Sequence, residues 1–210
     1  MDGTIIDSEQ YWMAAETTLV ESWGGTWTHD DGLSLVGSGM WHTARVMQSR
    51  GVDLAEQPII DILTESVRGN IAREVPWRPG ARELLLALSE AGMPQALVTM
   101  SERPLAELVS RAIDFAPFSA IVSSNDVTHA KPHPEPYLLG AQQLGIAIAE
   151  CVAIEDSEPG VASAVASGAV TIGVPHTVSL LDVEAHTIWE TLVGRSPADI
   201  AEVFSKGRAS

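Results

Sequence analysis

The sequence predicts an α/β protein, with a parallel sheet covered by helices on both faces and a smaller all-helical segment ahead of it. Three observations carry this. From residue 80 onward, short apolar runs alternate with helical patterns at the spacing of parallel strands joined by helices. Residues 9 to 79 show helical periodicity with little strand alternation. The 210 residues suffice for one good core plus a small insertion.

Taken in order, "MDGTIIDSE" is a loop rich in polar and turn-forming residues, of the kind that usually follows a buried strand. "EQYWMAAETTLVESWGG" is a helix with Asp7 and Ser8 as candidate caps and Gly24 and Gly25 as its stop. "MWHTARVMQSRG" and "PIIDILTESVRGNIARE" are two more helices. Five tryptophans (Trp12, Trp23, Trp27, Trp41 and Trp77) fall in this part and are expected to fill its core. After "RPG" comes the helix "ARELLLALSEAG", with Leu84, Leu85 and Leu88 on one face and Gly92 ending it. Then follow the strand "QALVTM", the helix "ERPLAELVSRA", the strand "AIVSS" and the helix "PEPYLLGAQQLG". The strand "CVAIED", the helix "PGVASAVASG" and the strand "VTIGV" complete the alternation. Farther on, "HTIWETL" reads as an edge strand or turn and "PADIAEVF" as a last helix.

Composition narrows the function. Apolar residues at 45% and charged residues at 19% are those of a globular protein rather than a disordered one. Twenty-eight acids against 12 bases give a net charge of −16, which argues against nucleic acid or an anionic membrane as partner. A small anionic substrate stays open, since a bound metal ion reverses the local sign. The single cysteine, Cys151, excludes an intramolecular disulfide, reads as a small core residue and fits a reducing compartment. No stretch is apolar enough for a spanning helix and the N-terminus has no signal pattern, so a cytoplasmic setting is expected.

In a parallel sheet the chemistry gathers beyond the carboxyl ends of the strands. Those ends carry Thr99 and Ser101 after "LV", and Glu155 and Asp156 after "VAI". The loop "HAKPHPEPY" adds Lys131, and the opening loop adds Asp2. Each has an ordinary reading alone: Thr99 and Ser101 as helix caps, Lys131 as a solvated lysine, the two acids as a loop turn. Together, three acids, two hydroxyls and a lysine are the inventory of a metal-assisted phosphoryl site.

These stretches resemble the motifs of the haloacid-dehalogenase-like (HAD) hydrolases. "MDGTIIDSE" is similar to the first motif, "LVTMS" to the second, "KPHPEPY" to the third and "IEDSEPGVASAVASG" to the fourth. The likeness is to the subgroup with a helical cap, which holds phosphoglycolate-phosphatase-like and β-phosphoglucomutase-like members. It implies a Rossmann-like core of residues 1–8 and 80–210 and a cap of residues 9–79 inserted after the first motif. It also implies Asp2 as general acid/base, its backbone carbonyl on Mg²⁺; Thr99 with Gly3 and the backbone of Met100 and Ser101 on the phosphoryl oxygens; Lys131 neutralising charge; and Asp156 with Glu155 on the metal. The family's first motif reads D-x-D-G-T, its first aspartate being the nucleophile. Met1 occupies x, so the nucleophile and its central strand are expected ahead of residue 1, and the 210 residues alone should not turn over.

Departures sharpen the expectation. Haloacid dehalogenases proper carry tyrosine where Asp2 stands. Mutase-like members have histidine where this chain has Trp12 and arginine where it has Met40. The expected activity is therefore Mg²⁺-dependent hydrolysis of a small phosphorylated metabolite. A sugar-phosphate mutase and a non-catalytic phosphate-binding protein are the alternatives, and the oligomeric state is not specified. "GSG" at 37–39 reads as a cap loop facing the site, and His129 and His133, flanking Lys131, as exposed loop residues.

Overall fold

The structure, a computed structural model, describes residues 1–36, 38–180 and 183–208; Gly37 of the "GSG" loop lies outside the described residues. The helical segment is built from α1 (Glu9–Ser22), α2 (His29–Leu33), α3 (Met40–Ser49) and α4 (Glu56–Arg73). Both α1 and α3 pack on α4. They bury an aliphatic stripe that includes Leu19, Val20, Met47, Ile60, Leu63 and Val67. The expected ring-filled core is corrected here. Trp12 and Trp27 are buried, but Trp23 and Trp41 are 43% and 54% exposed, because Trp23 stands at the C-cap just past α1 and Trp41 on the face of α3 away from its buried residues. The apolar cluster continues beyond this segment into Leu97, Leu105, Ala106 and Val109, so helices and sheet share one core.

The remainder alternates as expected: α5 (Ala81–Glu90), β1 (Gln95–Val98), α6 (Arg103–Arg111), β2 (Phe118–Val122), α7 (Glu135–Leu144), β3 (Val152–Glu155), α8 (Glu158–Ser167) and β4 (Val170–Gly173). A short β5 (Thr187–Ile188) and α9 (Pro197–Gly207) follow, realising the edge strand and last helix. No helix among the described residues is long and apolar enough to cross a membrane. The chain leaves the sheet region at 5–7 and returns at 76–78. These crossings are tied together by Asp7 N donating to Pro76 O (2.6 Å) and Arg78 N to Ile5 O (2.9 Å). Thus the opening loop and the base of the helical segment are fixed to each other.

All strand pairings are parallel, but the sheet is in two pieces: β1 beside β2, and β3, β4 and β5 in that order. Between the pieces lies an apolar cavity of about 480 Å³. Its walls include Leu84 and Leu88 of α5, Leu97 and Val98 of β1, and Val152 and Ile154 of β3, with Met1 at one end. Packed interiors hold few voids larger than a water molecule, and an engineered apolar cavity of roughly 150 Å³ already stays dry. A void this size between two unpaired parallel edges has the shape of a strand's place rather than of a packing flaw. Cys151 lines the slot and is half-buried, less enclosed than a core position.

An apolar segment of about five residues joined ahead of Met1 is expected to enter this slot. Each apolar side chain buried there contributes ~1.5–3 kcal/mol, so thermal denaturation should show Tm higher by on the order of 10 °C. An unchanged Tm would show that the slot does not receive a strand.

Candidate active site

The opening loop and the end of β1 meet first. Thr99 N donates to Val122 O (2.9 Å), extending the ladder one residue past β1, and Thr99 Oγ1 accepts from Ser101 N (3.1 Å). Ser101 Oγ donates to Asp2 Oδ2 (2.7 Å), while Ser8 Oγ and Trp12 Nε1 (3.5 Å) donate to Asp2 Oδ1. Two sequence expectations change here. Ser8 stands at the N-cap of α1 but makes no side-chain cap bond, because its hydroxyl serves Asp2. Thr99 and Ser101 do not cap α6, whose N-cap position is Glu102; their hydroxyls face the site instead.

The end of β3 supplies the second half. Glu155 accepts from Lys131 Nζ and from the Tyr137 hydroxyl. Lys131 also donates to Val98 O (3.3 Å) and its side chain is only 8% exposed, so it is a buried tether between the third motif and the sheet, not a solvated lysine. Asp156 accepts from Thr4 Oγ1. Two glycines permit these positions. A Cβ on Gly3, at φ +71°, would lie 2.0 Å from Asp156 Oδ2, and a Cβ on Gly160 would lie 2.0 Å from Glu155 Oε2. The α8 N-terminus behind the acids is capped by Ser157, which accepts from Gly160 N (3.3 Å).

Electrostatics separates the two acids. Burial raises the Glu155 carboxyl, but the Lys131 and Met1 ammonium charges, with the hydrogen bonds from Lys131 and Tyr137, together outweigh it and leave Glu155 below its ordinary value. Burial, with Glu155 alongside, pushes Asp156 up to about 6. The Tyr137 hydroxyl is raised well above its ordinary value by burial and by the Glu155 charge, which keeps it a donor.

A cavity of about 100 Å³ is lined by Asp2, Thr99, Met100, Ser101, Lys131, Glu155 and Asp156, so these site residues from the sequence converge. Gly3 stands behind them as backbone that lets Asp156 approach. The three acids do not form one tight carboxylate cluster. Among the described residues, the trio of His/Cys/Asp/Glu donors within 4.8 Å of one another is His129, His133 and Glu135. That trio is on the outer side of the loop with both histidines exposed, and Glu135 braces the backbone N–H groups of Thr128 and His129. The acids are apart because Asp2 turns to Ser8 and Ser101 while Glu155 turns to Lys131 and Tyr137. What fits Mg²⁺ is the Asp156 carboxylate pressed against the Asp2–Gly3 backbone: hard oxygen donors beside buried negative charge whose one side-chain hydrogen-bond donor among the described residues is Thr4.

Sequence reasoning missed Thr4, Ser8 and Tyr137 as partners, although all three stand inside the motifs. It also missed Glu9 and Glu16 on α1, which line the same cavity with Trp12, Met13, Ser38 and Thr43. Burial first, then the Asp2 and Asp156 charges, push the Glu9 carboxyl up to about 8. Burial pushes Glu16 up to about 7, against a hydrogen bond from Trp27 Nε1 (3.3 Å). Their helical spacing gave no signal distinguishable from a solvated face.

A parallel α/β core with a helical segment over the strand ends and acids at those ends defines the class of Rossmann-like hydrolases that carry a cap. The chain belongs to the haloacid dehalogenase-like hydrolases: the family described as "Haloacid dehalogenase-like hydrolase" matches residues 1–174. It is 36% identical to hexitol phosphatase A of Escherichia coli over 57% of this chain and 57% of that protein. It is 29% identical to the E. coli fructose-1-phosphate phosphatase YqaB over 83% of this chain and 93% of that one. With E. coli phosphoglycolate phosphatase the match spans 56% of this chain and 48% of the relative, at 32% identity. The chain thus spans about half the length of two of these curated relatives. In fold it is similar to CbbY from Rhodobacter sphaeroides in complex with phosphate (TM-score 0.86, 23% identity, 96% of each chain). It is similar as well to a β-phosphoglucomutase from Clostridium difficile (TM-score 0.83, 18% identity, 100% of this chain and 96% of that one).

Two outcomes follow from this geometry. Gly3→Ala places a Cβ into Asp156 at a left-handed backbone position, and is expected to cost at least ~2 kcal/mol of stability and to abolish Mg²⁺ binding in calorimetry; wild-type values for both would contradict the packing. Glu16 is raised from 4.5 to about 7 on folding, so its ionisation opposes the fold: stability is intact below pH 4.5 and is lost as pH climbs through 7. Glu16→Gln removes that penalty, at most ~3 kcal/mol, and should raise Tm at pH 8 but not at pH 4; an equal shift at both would contradict it.

Proposed function

We propose that this protein is a Mg²⁺-dependent phosphatase of small phosphorylated metabolites, working through an aspartyl phosphate. In this reading residues 9–79 form a cap that closes over a core of residues 1–8 and 80–210, excluding water and selecting the substrate. The observation that carries it is the convergence of Asp2, Thr99, Ser101, Lys131 and Asp156 in one cavity at the strand ends. Thr99, Ser101 and the backbone of Met100 orient the phosphoryl oxygens, and Lys131, held by Glu155, neutralises their charge. Asp2, steadied by Ser8 and Ser101, protonates the leaving oxygen and then takes the proton of the attacking water. Asp156 and the Asp2 carbonyl would hold Mg²⁺, which when bound supplies neutralisation of phosphoryl charge.

The slot between β1 and β3 supports a further part of the proposal. A strand entering it toward Met1 would bring its last side chain to the cavity, since Met1 lines both spaces. An aspartate there is the nucleophile of this reading, and full activity requires it. Trp12 and Met40 lining the cavity favour hydrolysis over the mutase alternative, whose members carry histidine and arginine at those positions. A non-catalytic phosphate-binding protein is the alternative if the strand brings no carboxylate. The proposed setting is the cytoplasm, which the single free thiol of Cys151 supports.

The test is phosphate release from an aryl phosphate with Mg²⁺, by the chain extended ahead of Met1 with an apolar strand ending in aspartate. Release is expected, and Asp2→Asn should cut kcat by about 10²-fold or more. No release by the extended chain would overturn the proposal.

A further inference from the structure

The wall that α1 gives the cavity has a chemistry of its own. Glu16 lines it, 6% exposed, with Trp27 Nε1 as its one hydrogen-bond donor among the described residues. Glu9, on the same helix and nearer the charges of Asp2 and Asp156, has no side-chain hydrogen bond among them. Around them stand Trp12, Met13, Ser38 and Thr43. Among the described lining residues the only cationic side chain is Lys131, which is committed to Glu155, and the Met1 ammonium on the same lining acts on Glu155 and Asp156. A buried carboxyl with a single neutral donor costs stability, and a glutamine would accept the Trp27 N–H equally well. A group held at such cost beside a reaction cavity is placed for a ligand rather than for packing.

We infer that Glu16 is a specificity-determining residue, accepting a hydroxyl of the substrate's carbon skeleton and rejecting substrates whose skeleton carries a carboxylate. This rests on the phosphatase reading and goes beyond it. A phosphomonoester reaching from Lys131 to α1 meets acceptors and an indole face there, and no cationic side chain. Neutral hydroxyls donate to such a wall, as those of a polyol or sugar phosphate do. A second anionic group there would meet the Glu16 carboxylate with no cationic side chain of α1 beside it, and like charges disfavour each other.

The experiment is calorimetry in Mg²⁺ at pH 8 with three probes: inorganic phosphate, sorbitol 6-phosphate and phosphoglycolate, on the wild-type chain and on Glu16→Gln. Wild type is expected to bind the polyol phosphate more tightly than phosphoglycolate. In Glu16→Gln, affinity for the polyol phosphate should fall roughly 10-fold, as for a lost hydrogen bond to a charged group. Affinity for phosphoglycolate should rise, and that for inorganic phosphate should not move. Equal changes for all three probes, or an unchanged polyol-phosphate affinity, would overturn the role of Glu16. If inorganic phosphate itself fails to bind wild type, the phosphatase reading falls and this inference with it. Binding of inorganic phosphate without preference between the two organic phosphates overturns only the inference.

Discussion

The buried pair of Lys131 and Glu155 is the contact on which the arrangement turns. The lysine comes from the loop ahead of α7 and the glutamate from the last residue of β3. Their contact, closed by the Tyr137 hydroxyl and the Val98 carbonyl, draws α7, β1 and β3 to one point. A buried ion pair gives little net stability against a well-packed apolar substitute, but breaking one half leaves an uncompensated charge and costs several kcal/mol. Its worth here is positional. It keeps a cation at the bottom of the cavity, and it leaves Asp156, next along the chain, as the acid with negative charge to spare.

That pair also bridges a divided sheet. β1 and β3 are joined through side chains at their carboxyl ends and not through a ladder, with the apolar slot beneath them. The site is therefore organised at the rim of the sheet, where side chains join its two pieces. Larger than the reaction cavity and free of its acids, the slot belongs to the fold's construction and not to substrate. In the proposed reading a strand entering the slot would set both the stability of the core and the chemistry at Met1, so folding and catalysis would be coupled through one layer of packing.

Most of this was legible in the sequence. The strand and helix alternation after residue 80 is strong because each strand is a short apolar run closed by a turn, and its α/β class and parallel pairing hold. Thr99, Ser101, Glu155 and Asp156 are legible because they follow apolar strands, and Asp2 and Lys131 because their loops resemble family motifs; the structure gathers all six in one cavity. What escaped was of two kinds. Second partners such as Thr4 and Tyr137 depend on which way a side chain turns, which spacing does not record. Glu9 and Glu16 sit on a helix whose acids look like a solvated face until the helix is laid over the cavity. The tryptophans misled for a related reason: two stand away from the buried faces, where ring size gives no hint of side.

In the proposed reaction, a carboxylate delivered through the slot between β1 and β3 takes the phosphoryl group from substrate. Acid quenching of the strand-extended protein during turnover, followed by peptide mass spectrometry, tests it most directly. A phosphoryl group is expected on the aspartate joined just ahead of Met1, absent when that residue is asparagine. Turnover with no phosphorylated peptide, or with the phosphoryl group on any other residue, would contradict it.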